Sequence, residues 1–144
     1  MAELNCQFVR PDRLLFDGPV ANLILVTYAG ELGVWPGHAP EIVALGDGVV
    51  RMRARQEDGG EEYDVVVSGG YAEIDNDGVI ILADHARRTD DIDPEVVRRT
   101  RDEAIDALEA MEKGDYRAAY YEKKVRWCNL LLKQVTGSAT ATSH

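Results

Sequence analysis

Thr89-Asp90-Asp91-Ile92-Asp93-Pro94-Glu95 is where the hydrophobic period of this 144-residue chain changes. Pro94 behind Asp93 reads as a helix start. A proline at the first helical position forfeits no hydrogen bond, an aspartate before it accepts from orphan N–H groups, and Glu95 lies at the positive end of the helix dipole. Beyond it Ala104, Leu108 and Met111 recur at four and then three residues, one face of a helix. Gly114-Asp115 can end that helix and cap a second. From there Ala118, Tyr121, Val125, Cys128, Leu132 and Val135 recur at three, four, three, four and three, a coiled-coil-type seam. The expectation is an antiparallel helical hairpin over 88–135, with arms of about 30 Å. Thr136 to His144 is small and polar and reads as a disordered tail.

Towards the N-terminus the period is two. In Val50-Arg51-Met52-Arg53-Ala54-Arg55 apolar residues alternate with arginines, the pattern of a strand with one face in a core and one in water. Gln56 to Gly60 breaks it and Tyr63 to Val67 resumes it, a hairpin with a polar tip. Asp75-Asn76-Asp77-Gly78 joins Tyr71–Ile74 to Val79–Ala83. Further strands are expected at Gln7–Arg10, Leu14–Phe16 and Asn22–Thr27. Ser68-Gly69-Gly70 lacks the lysine and the following helix of a phosphate loop, so it reads as a bulge or tight corner. Short strands with frequent turn signals imply a β-sandwich or flattened barrel over 1–87, so the fold class is α+β.

The net charge of −10 excludes the basic face that nucleic acid requires. It is unevenly spread: residues 1–113 hold 11 Lys+Arg against 24 Asp+Glu, whereas 114–144 hold 5 against 2. The basic second helix, with Lys123, Lys124, Arg126 and Lys133 off the seam, suits an acidic partner. No apolar run has the length of a membrane span, and Met1-Ala2-Glu3 does not open a leader peptide. Cys6 and Cys128 stand far apart in unlike settings and read as two packed, reduced thiols. With three histidines and no clustered cysteines, no metal site is expected. Asp75-Asn76-Asp77-Gly78 places its glycine fourth rather than sixth and lacks flanking helices, so it is turn chemistry and not a calcium loop.

One stretch carries more chemistry than a turn needs: Gly30-Glu31-Leu32-Gly33-Val34-Trp35-Pro36-Gly37-His38-Ala39-Pro40. Its glycines and prolines forbid a helix or a long strand. His38 has no Ser, Cys or carboxylate at nucleophile spacing, so it reads as a loop histidine and not a catalytic base. No catalytic residue is expected.

This stretch resembles the Gly-Glu-Leu-Gly and Pro-Gly-His-Ala-Pro signature of the epsilon subunit of the bacterial F-type ATP synthase. Phe16-Asp17-Gly18, Val67-Ser68-Gly69-Gly70-Tyr71-Ala72-Glu73, Leu82-Ala83-Asp84 and Asp91-Ile92-Asp93 follow the family in order, over residues 3 to 135. The resemblance implies a non-catalytic central-stalk subunit that couples proton translocation to ATP synthesis. Its barrel would bind the gamma subunit and rest on the c-ring through Glu31, Trp35 and His38. Its hairpin would reach the beta and alpha subunits and restrain ATP hydrolysis, the basic residues of the second helix meeting an acidic beta segment. The place implied is the cytoplasmic face of the bacterial inner membrane, peripherally attached.

Some members bind ATP through Ile/Leu-Asp, two residues, then Arg-Ala. Here Val96 and Val97 stand where Arg-Ala would, leaving Asp93, Arg98 and Arg99 as poor substitutes, so no cofactor is expected. The competing reading is a stand-alone β-sandwich binding module with a helical dimerisation hairpin.

Overall fold

A computed structural model describes residues 3–142, with side chains described for 3–135. It divides into two compact units between Arg88 and Thr89. The first carries eight strands: β1 (Leu4–Arg10), β2 (Arg13–Val20), β3 (Asn22–Thr27), β4 (Gly30–Val34), β5 (Glu41–Ala44), β6 (Asp47–Arg53), β7 (Glu62–Ile74) and β8 (Gly78–Arg88). They pair in the order β2-β1-β8-β7-β6-β3-β4, with β5 also on β7. All pairings are antiparallel except β1 with β8.

Alternation decides which residues are inside. Leu4, Cys6 and Phe8 of β1, Val50 and Met52 of β6, and Val79, Ile81 and Ala83 of β8 point into one core, joined by Leu23, Leu25 and Ile74. The arginines of VRMRAR that alternate with Val50 and Met52 face outward. Cys6 donates its thiol hydrogen to Met52 Sδ at 3.7 Å inside this core.

The sequence divides Tyr63–Val67 from Tyr71–Ile74, whereas β7 is one strand of 13 residues. Its first half pairs with β6 and its second with β5, with Leu45 opposite Gly70 and Gly46 opposite Gly69. Both glycines have left-handed φ, +74° and +118°, so the strand turns a corner there without losing β8. At Gly70 a Cβ would lie 2.1 Å from the Leu82 carbonyl oxygen. Corner, and not bulge, is the correct reading of Ser68-Gly69-Gly70, since the β7–β8 register is unshifted across it.

The second unit holds α1 (Pro94–Glu109) packed on α2 (Ala118–Thr142). Asp93 caps α1, its Oδ1 accepting from the N–H groups of Glu95 at 3.1 Å and Val96 at 3.4 Å. Ile92, Val97, Ala104, Cys128, Leu131 and Leu132 are buried. The connection is longer than the sequence implies: α1 stops at Glu109, and Gly114, at φ +90°, belongs to a 110–117 loop in which Asp115 Oδ1 accepts from Arg117 N–H at 2.9 Å. The arms are therefore unequal, 16 and 25 residues, or about 24 and 37 Å. The expected disorder over 136–144 falls on residues whose side chains, and at 143–144 also the backbone, lie outside those described; the backbone assigned to α2 runs to Thr142.

Candidate docking site

Trp35-Pro36-Gly37-His38 forms a type II turn. Proline presets the first central position, Gly37 supplies φ +88° at the second, and His38 N–H donates back to the Trp35 carbonyl at 3.2 Å. This turn is braced by another. Gly37 N–H donates to the Asn76 carbonyl at 2.7 Å, and that carbonyl is oriented by a β7–β8 turn in which Asn76 N–H donates to Asp75 Oδ1 at 2.8 Å and Asp75 N–H to Gly78 O at 2.8 Å. Asp75-Asn76-Asp77-Gly78 is thus turn chemistry with a second task, to hold the neighbouring loop.

The side chains on this frame are displayed. Trp35 is 55% exposed, and its six-membered ring lies over Gly33, where an added Cβ would come within 2.3 Å of Cζ3. Gly33 is therefore the seat of the indole. His38 is tied to its own loop: Nδ1 lies 2.7 Å from the Ala39 carbonyl oxygen, which can only accept, so Nδ1 carries the hydrogen. Its Nε2 faces Glu41 Oε1 at 3.9 Å. Glu31 stands on β4 and pairs with Arg51 Nη2 of β6 at 3.3 Å, an exposed pair of small energetic value. Glu31, Trp35 and His38 thus lie along one strand and its following turn.

Sequence reasoning missed a second surface. On the outer face of the sheet, register aligns Leu14, Val9, Leu82, Tyr71 and Ala44 across five strands, and beside it Asp17, Gln7, Ile80, Glu73 and Ile42. Tyr71 is 62% and Leu82 52% exposed, and Ile80 and Ile42 are exposed as well. A contiguous apolar face rimmed by polar residues marks an interaction surface. Its signal was the unalternating run Val79-Ile80-Ile81-Leu82, which reads as a strand covered on both sides.

In the helical unit Lys123, Arg126 and Lys133 are exposed and fall within an arc of about 80° at 3.6 residues per turn. Lys124 lies off that arc, its Nζ 5.6 Å above the Tyr120 ring. Of the substitute nucleotide ligands, Asp93 is committed to capping α1, while Arg98 and Arg99 are exposed. Val97 is buried, and Val96 is exposed without a donor group.

Among the described residues no group of three or more His, Cys, Asp or Glu is placed to hold a metal, and no helix is long and apolar enough to cross a membrane. Both cysteines are buried, and neither is in a disulfide.

Comparison with known proteins gives one answer. The profile of the ATP synthase delta/epsilon chain, beta-sandwich domain, matches residues 3–89. The chain is 38% identical over 112 residues to the ATP synthase epsilon chain of Synechococcus elongatus, spanning 78% of this chain and 79% of that one. It is 43% identical over 114 residues to the epsilon chain of Moorella thermoacetica, spanning 79% and 83%. A solved chain of the Euglena gracilis mitochondrial ATP synthase superposes with a TM-score of 0.72 at 24% identity, covering 94% of this chain and 82% of that one, a likeness of fold.

Proposed function

The chain belongs to the ATP synthase epsilon family, and on that premise we propose that it is a non-catalytic subunit of the rotary central stalk. It joins the gamma subunit to the proton-carrying c-ring and acts from the face of the membrane without crossing it. The observation that carries this reading is the braced turn of residues 35–38. A loop whose backbone is fixed before binding loses little entropy on docking, and a half-exposed tryptophan seated on glycine offers an apolar anchor. Glu31, Trp35 and His38 are assigned to the c-ring contact. The apolar sheet face around Tyr71 and Leu82 is assigned to gamma, because a permanent partner calls for the more hydrophobic surface.

Regulation is assigned to the helical unit. The arc of Lys123, Arg126 and Lys133 suits an acidic segment of the beta subunit and is the means by which the hairpin restrains hydrolysis. The capping role of Asp93 and the valines at 96 and 97 support the absence of a nucleotide ligand. Millimolar ATP is expected to leave backbone amide resonances near Asp93 unmoved in the isolated chain; shifts there would contradict this.

Co-purification tests the partner assignment. The tagged chain is expected to retain gamma, and Tyr71→Asp with Leu82→Asp to lose it while folding normally. Undiminished retention by that double variant would refute the assignment of the face.

A further inference from the structure

The last residue of β8 points the wrong way for its charge. Arg88 is paired with Val65, a core residue, and residues paired across a ladder share a face, so its side chain leaves the strand on the core side. An inward cation costs free energy unless its head meets a partner. Here the guanidinium carbon lies 4.7 Å from the centroid of the half-buried Tyr63 ring, over its face. Phe16 of β2 supports that ring from 5.7 Å at a tilt of 52°. With Leu15, Met52 and Val65 these side chains enclose a cavity of about 20 Å³, so the arginine closes the end of the core over a gap of about one water.

The position gives this contact its meaning. Arg88 is the last residue of the first unit. The chain beyond it is committed to the second at once: the turn Thr89–Asp91 packs on α2, Ile92 N–H donates to the Thr89 carbonyl at 3.3 Å, and Ile92 is buried. Two residues earlier, Arg10 Nη1 of β1 donates to the Ala86 carbonyl at 3.0 Å, and Asp12 Oδ2 accepts from the same guanidinium at 2.9 Å. Ala86 thus turns its carbonyl away from β7. By alternation Arg87 exchanges ladder bonds with Val66, and Arg88 again turns its backbone away, so at Arg88 the tie to β7 runs through the side chain.

We propose that the Arg88–Tyr63 contact is a clamp that shortens the joint between the two units to the single Arg88–Thr89 link, which makes Arg88 a positioning residue of the hairpin. The inference concerns the joint and stands apart from which partner the hairpin meets. Units joined by a linker move relative to one another by default, and the length of the linker sets the slack. Each residue released from β8 adds about 3.3–3.6 Å of reach. Release can run through Arg88 and Arg87 but is stopped at Ala86 by Arg10, so the clamp governs about 7 Å.

A double-mutant cycle in the full chain tests this. Tyr63→Leu keeps an apolar side chain and removes the π-face; Arg88→Met keeps the stem and removes the cation. Each is expected to speed exchange of the Arg87 amide about fivefold, with the His85 and Ile81 amides at native rates. The double variant should be no faster than either single one, and Tyr63→Phe, which retains a π-face, should match the native chain. Nitroxide labels at Tyr28→Cys and Tyr116→Cys, both exposed positions, read the slack itself: their distance distribution should broaden in Tyr63→Leu and not in Tyr63→Phe. Additive effects in the double variant would show two side chains acting separately, and equal acceleration at Ile81 would show a merely loosened core; either refutes the clamp. An unchanged Arg87 rate or an unchanged distribution in Tyr63→Leu refutes it as well.

Discussion

At single residues, some groups have neighbours that leave no alternative. Gly70 is one: with φ +118° and the Leu82 carbonyl where a Cβ would sit, Gly70→Ala is expected to lower unfolding stability by about 2 kcal/mol or more, read by denaturant titration. Gly33→Ala tests a different property. Its methyl would displace the Trp35 indole and not the core, so docking should weaken with the unfolding midpoint nearly kept. Cys6 is chemically silent: burial, and secondarily the charge of Asp17, push its thiol up to about 12, so alkylation should proceed only on unfolding. Labelling of the native chain at Cys6 at pH 8 would contradict the packing described. The glycines and prolines of the docking loop were legible as backbone constraints. The brace from Asn76 was not, because a carbonyl bond between distant turns leaves no side-chain signal.

Among the elements, the start of α1 was readable to the residue, since Asp93 and Pro94 are local chemistry. Asp93→Ala should cost about 1 kcal/mol of the helical unit's stability, measured by thermal unfolding. The end of α1 was not readable: Gly114-Asp115 carries capping residues, but they build the connecting loop. There Arg117 holds the Asp115 carboxyl, first by a side-chain hydrogen bond and then by its backbone N–H, at about 2 against an ordinary 3.8. The sign follows: a carboxyl depressed in the fold contributes stability that is complete above its unfolded value and is lost as pH falls from 3.8 through about 2. Carbon-detected NMR titration should show this, with Arg117→Ala returning Asp115 towards its ordinary value. The strand β5 escaped the sequence because its four residues after Pro40, three of them exposed, do not alternate between apolar and polar. In β7 the sequence left bulge or corner open at Ser68-Gly69-Gly70, and the unshifted pairing with β8 makes it a corner within one strand.

For the whole molecule, the change of period at Thr89 separates the β unit from the helical hairpin, whereas the acidic balance runs on through α1 and turns basic only after residue 113. Which partners those surfaces meet was legible only through resemblance, because composition can say what a surface would attract but not what it belongs to. If the hairpin restrains hydrolysis, truncation after Arg88 should raise the hydrolytic rate of the assembled enzyme, and an unchanged rate would exclude that role. The docking loop makes the sharper claim, that its residues transmit rotation without taking part in chemistry. The direct measurement is ATP-driven proton pumping beside ATP hydrolysis, in membranes rebuilt with the native chain, Glu31→Ala, His38→Ala or Trp35→Ala. Pumping per ATP hydrolysed should fall severalfold in the variants while hydrolysis by the detached soluble part stays at its native rate; pumping at native efficiency in all three would contradict the account.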